Sequence, residues 1–117
     1  RPGGLSRRGA ELFAGVSLGF VDAALYDGEA KGALLLSSIF YYPAGYRDYA
    51  GYEGDLPAGL RFDMSQEDAR TLLGKSEWDD PDLCTEGWRI DGNLLCVGYS
   101  DDFDALIDVS IQIPDPE

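Results

Sequence analysis

The chain contains no histidine. That removes Ser-His-Asp and Cys-His catalysis, His-ligated zinc and imidazole general bases in one step. Cysteine is scarce: Cys84 and Cys96 are too few for a zinc site and are not in CxxC spacing. They could close one short disulfide loop. The default expectation is two reduced thiols in a cytoplasmic protein, with Cys96 buried in a strand. No apolar run approaches the roughly 20 residues of a membrane span. No signal peptide is evident, and the chain opens on Arg1-Pro2-Gly3-Gly4 without an initiator Met, as a processed product or a fragment would. The signatures G-x-x-x-x-G-K-[ST], G-x-S-x-G and G-x-G-x-x-G are all missing.

Basic residues are few as well. Nine Lys and Arg stand against 22 Asp and Glu, a net charge of −13 over 117 residues. The imbalance is segregated: residues 1–50 carry five acids and five bases, whereas residues 51–117 carry 17 acids and four bases. Such a field repels nucleic acid and anionic membrane and steers a basic partner. Solubility alone is the plainer reading of the same charge.

What is present suits one domain over 1–117, with 1–10 a loose lead-in and 114–117 a tail. The apolar fraction, 44%, is ordinary for a globular chain and argues against disorder. The most legible stretch is residues 56–74, LPAGLRFDMSQEDARTLLG. Ser65 is placed to cap a helix, with Asp68 as a shorter stand-in for the Glu of a capping box. Glu67 and Asp68 put negative charge at the positive end of the helix dipole. Ala69, Leu72 and Leu73 form a short apolar stripe, and Gly74 is the natural residue after the last turn. Before the cap, Leu56-Pro57 and Gly59-Leu60 predict an extended entry anchored by Phe62 and Met64. Two turns of helix are not stable alone and must lie on a sheet.

The flanks supply one. GVSLGF at 15–20 alternates, with Val16, Leu18 and Phe20 on one side. Residues 22–26 suit either more strand or a helical turn. LLLSSIFYY at 34–42 is apolar on both faces and reads as a central strand, or one with a face used by a partner. Residues 75–87 read as an acidic loop containing Asp79, Asp80, Asp82 and Glu86. Strands at 88–90 and 94–99 flank an Asp91-Gly92-Asn93 hairpin turn. In the last strand, Ile107, Val109, Ile111 and Ile113 point inward, and Asp108, Ser110 and Gln112 outward. The expected fold is α+β: an antiparallel sheet of about five strands with one short capped helix, about 65–74, packed on one face.

Candidate sites are sparse. Asp101, Asp102 and Asp104 resemble part of a calcium loop, but the sixth and twelfth positions are Leu106 and Gln112 where Gly and Glu are needed. Asp79, Asp80 and Asp82 could serve paired-carboxylate chemistry, yet nothing in the sequence points to a raised pKa among them. No catalytic residue, cofactor or metal site is expected, and the chain is not read as an enzyme. Tyr41, Tyr42, Tyr46, Tyr49 and Tyr52 are more informative. They fall within twelve positions among Gly45, Gly51 and Gly54, a composition typical of binding loops. The expected partner-binding residues are Tyr42, Tyr46, Tyr49, Asp79, Asp80, Asp82, Asp101, Asp102 and Asp104. Some of the tyrosines instead roof the sheet in the plainer reading.

A family resemblance rests on particular residues. Gly15-Val16-Ser17-Leu18 with Phe20, Ser38-Ile39-Phe40-Tyr41, then Tyr52-x-Gly54-x-Leu56-Pro57-x-Gly59-Leu60-x-Phe62-x-Met64-Ser65, Leu73-Gly74, Trp88 and Tyr99 form the pattern. It resembles small bacterial proteins, immunity proteins of toxin systems among them, over about 15–113. The Pro that usually follows Leu-Gly is replaced here by Lys75. The helix piece is also similar to the outer-membrane assembly lipoprotein and β-lactamase-inhibitor-like fold, whose helical pair ahead of the sheet is either absent here or reduced to 11–14. Neither resemblance supplies catalytic residues. The first implies a protein that binds and neutralises a cognate toxin, a basic one if the toxin acts on nucleic acid. The second implies a non-catalytic assembly or scaffold module. A metal-dependent hydrolase using Asp79, Asp80 or Asp104 is a third class.

Overall fold

The computed structural model describes residues 15–29, 32–45 and 50–114. Its elements are β1 (Val16–Asp22), β2 (Leu34–Tyr41), α1 (Gln66–Leu73), β3 (Trp78–Asp80), β4 (Thr85–Ile90), β5 (Asn93–Tyr99) and β6 (Leu106–Gln112), with 3-10 turns at Ala23–Leu25 and Pro57–Gly59. The strands form one antiparallel sheet in the order β1-β2-β6-β5-β4-β3. The α+β architecture is the expected one, with six strands among the described residues where about five were expected.

The additional strand lies in residues expected to be a loop. Trp78 sits opposite Gly87 in the β3–β4 ladder, and a Cβ built on Gly87 would lie 1.9 Å from the Trp78 ring. The missing side chain is therefore the seat for the indole, which carries β3 onto the sheet edge. The hairpin expected at 91–93 is present but one residue shorter: Asp91 and Gly92 have positive φ, 52° and 83°, as in a type I′ turn, and Asn93 already pairs with Ile90 as the first residue of β5.

The capped helix is as expected. Asp68 N–H donates to Ser65 Oγ at 3.1 Å, and Ser65 N–H donates back to Asp68 Oδ2 at 3.2 Å. Gly74 has φ +87°, and its N–H donates to the Arg70 carbonyl. The stripe is narrower than Ala69, Leu72 and Leu73. Ala69 is fully buried and Leu73 half-buried, whereas Leu72 is exposed beside Gly59. Arg70 also points at the sheet, so the inward direction lies between 69, 70 and 73. At roughly 100° per residue Leu72 falls well outside that arc.

The entry to the helix is not extended. Residues 57–59 turn, with Ala58 at φ 60° and Gly59 at φ 81°. This folds Leu56 and Leu60 into the core beside Trp88, Leu95, Val97, Tyr99, Leu106 and Val109, with Phe62 and Met64 packed against them. Two backbone bonds dock the segment onto the end of the sheet: Leu106 N–H to the Phe62 carbonyl, and Gln66 N–H to the Phe103 carbonyl.

Two bulges correct the alternation expected in the strands. One residue, Ile107, is extra between the Gly98–Asp108 and Tyr99–Leu106 pairs. Leu106 therefore takes the buried place and Ile107 is exposed. Likewise Ser37 is extra between the Gly19–Ser38 and Phe20–Leu36 pairs, so Leu34 and Leu36 are out of step with Phe40. LLLSSIFY is thus the second strand from the edge, and its first half is open to solvent. Ser110, expected outward, is buried on the face away from α1, between Phe40 of β2 and Cys96 of β5. Both cysteines are free thiols, and Cys96 is half-buried.

Candidate protein-binding surface

The register decides which sequence-predicted residues meet. Thr85 pairs with Gly98 and Tyr41 with Val109, so β3, β5 and β2 end where β4 and β6 begin. The β3–β4 turn, the β5–β6 turn and the exit of β2 therefore share one end of the sheet. Asp80, Asp82, Asp101, Asp102, Asp104 and Tyr42 are all brought there. Tyr99 N–H donates to the Cys84 carbonyl at 2.8 Å and ties the two acidic turns together.

Each turn is fixed by its own polar groups. Ser100 Oγ donates to Asp102 Oδ1 at 2.8 Å and accepts from the N–H groups of Asp104 and Ala105. The Asp104 N–H also reaches Asp102 Oδ1. The Ser100 hydroxyl first, then this N–H, holds the Asp102 carboxyl below the usual carboxylate range. Asp101 and Asp104 are left exposed. In the other turn Asp80 Oδ1 accepts from Leu83 N–H at 3.3 Å, and Cys84 takes φ 55°. Asp82 and Leu83 are exposed there.

The tyrosines divide. Tyr42 is half-buried and stacks on Phe40, ring centroids 6.2 Å apart at 8°. Tyr52 packs against Tyr41 at 4.9 Å and donates to the Asp55 carbonyl, so it roofs the core. Tyr46 and Tyr49 lie outside the described residues.

Asp79 does not join the acidic end as its neighbour Asp80 does. Its carboxylate turns toward the helix and lies 3.7 Å from Arg70. There it borders a cluster that the sequence reading missed. Glu86, expected in a solvated loop, is on β4 and has 0% of its surface exposed. Arg70 Nε and Nη2 donate to its Oε1 at 3.0 and 2.9 Å, and the Tyr99 hydroxyl donates to its Oε2. Burial, and then the Glu86 carboxylate, push the Tyr99 hydroxyl far above its usual pKa. Both oxygens of Glu86 are occupied and sealed, so no substrate atom reaches it in this conformation. The available signal was phase: Glu86, Trp88 and Ile90 alternate in TEGWRI, placing Glu86 on the core face.

Among the described residues, no three His, Cys, Asp or Glu side chains are grouped to hold a metal. No helix there is long and apolar enough to cross a membrane. Comparison with family models, curated protein sequences and solved structures finds no match.

Proposed function

We propose that this chain is a cytoplasmic immunity protein, a non-catalytic domain that binds a cognate bacterial toxin and occludes its active site. The observation that carries the reading is the convergence of two acidic turns and the tyrosine-rich loop exit at one end of the sheet. A toxin that cleaves or modifies nucleic acid presents a cationic cleft to its polyanionic substrate. Asp80, Asp82, Asp101 and Asp104 offer that cleft an alternative set of anions on a rigid scaffold, and Tyr42 supplies aromatic contact beside them. Charge of this kind accelerates encounter, while buried aromatic contacts slow release.

The test is co-expression with the product of the adjacent gene. The reading expects that product alone to arrest growth, this chain to restore growth, and the two to elute as one complex. An adjacent product that is harmless, or that kills despite co-expression, overturns it.

A further inference from the structure

A second surface lies at the opposite end of the sheet, where β1 turns back into β2. Leu25 and Leu34 leave 59% and 69% of their surface in water, and Tyr26 and Leu36 leave 40% and 41%. The turn is a built structure. Ala23 N–H donates to the Ala33 carbonyl at 2.9 Å, and the Ala23 carbonyl accepts from both Tyr26 and Asp27. The Tyr26 hydroxyl donates to the Pro114 carbonyl at 2.7 Å and pins the ring beside the end of β6. Four large apolar side chains held out of the core at one corner are more than the scattered exposure of an ordinary surface.

The rim of this corner is anionic. The Asp22 carboxylate accepts from Ala24 N–H, and that of Asp27 from Glu29 N–H. Among the described residues neither of these, nor Glu29, is in an ion pair. Over 22–36 the sequence offers one base, Lys31, against these three acids. This combination selects the partner. Anionic lipid and nucleic acid are repelled. A second copy would bring two sets of uncompensated carboxylates onto one apolar contact. We infer that the β1–β2 corner is a docking surface for a cationic amphipathic protein segment, whose apolar face covers the leucines and Tyr26 while its Lys or Arg residues meet Asp22, Asp27 and Glu29. This surface is separate from the acidic end and does not rest on the immunity reading.

The probe is a fluorescent synthetic helix of leucines and lysines with one apolar face, titrated by anisotropy. Saturable binding is expected. Leu34→Ser with Leu36→Ser should weaken it about tenfold or more. Asp27→Asn with Glu29→Gln should weaken it and flatten its salt dependence. Asp101→Asn with Asp104→Asn, at the other end, should leave it within about twofold. The changed side chains are exposed, and circular dichroism confirms folding. Equal affinity for the Leu34/Leu36 variant overturns the proposal, as does equal weakening by the Asp101/Asp104 variant. Sedimentation showing a dimer that the Leu34/Leu36 variant abolishes would assign the corner to a second copy and also overturn it.

Discussion

The Tyr99 hydroxyl lies 2.5 Å from Oε2 of Glu86, a carboxylate with no exposed surface. The other oxygen is held by Arg70 from α1, so one carboxylate joins the helix to two adjacent strands. Only the Glu86 end of this pair is buried, so removing Arg70 leaves the buried carboxylate without its charged partner. Because Arg70 keeps 43% of its side chain in solvent, Arg70→Ala is expected to cost less than the loss of a fully buried pair, ~1.5–3 kcal/mol by urea unfolding. Tyr99→Phe, which deletes one bond to a charged group, is expected to cost ~1.5–3 kcal/mol. Wild-type stability in the Arg70 variant would mean that Glu86 is solvated.

The capping box gives a smaller and more local effect. Ser65→Ala is expected to cost ~1 kcal/mol with the urea m-value unchanged. Amide exchange should accelerate first at the start of α1 and leave β5 and β6 protected.

Asp108 carries the opposite sign from Asp102. Burial raises its carboxyl above the usual value, and the Gly98 N–H offsets this only in part. A raised acid pKa means that the native state binds the proton more tightly than the unfolded chain. Stability from this group therefore falls as pH rises from the unfolded value through the folded one. Asp108→Asn should raise Tm at pH 7 and leave it unchanged at pH 3. The lowered Asp102 works the other way, contributing stability that is lost as pH falls through its folded value. Asp102→Asn should lower Tm at pH 7, and the difference should shrink as pH falls below the ordinary carboxylate range.

At the proposed toxin interface, charge and aromatic contacts should fail differently. Neutralising Asp80 and Asp82, or Asp101 and Asp104, should slow association and flatten its dependence on salt. Truncating one tyrosine of the Tyr42, Tyr46 and Tyr49 group, Tyr46 first, should speed dissociation by ~2 kcal/mol or more if that residue is an anchor of the contact. Stopped-flow rates that ignore both salt and the neutralised acids would remove charge mimicry from the mechanism.

Which of these features could be read from the chain depends on how far apart the partners are. The Ser65–Asp68 box, the Asp91-Gly92 turn and the Gly74 stop are settled within a few residues, and all are where the sequence puts them. Glu86 is different. Its environment comes from Arg70 and Tyr99, 16 and 13 positions away, and no local pattern states that pairing. The bulges at Ser37 and Ile107 are also pairwise properties: each strand alternates acceptably alone, and the extra residue exists only relative to its neighbour. The acidic end was legible as composition. That Asp80 belongs to it and Asp79 does not follows from pleat direction on a strand that was expected to be a loop.

The two indoles of the chain, Trp78 and Trp88, lie on opposite faces of neighbouring strands. Trp88 is buried under the helix with its N–H on the Gly74 carbonyl, while Trp78 lies across Gly87 with much of its ring in water. The molecule thus carries two fluorophores in contrasting environments, one emitting to the blue and one to the red. Departure of α1 from the sheet would shift the blue component alone, whereas loss of the β3 edge would move only the red one. Detachment of the helix and fraying of the strand are separable by colour in the unlabelled protein.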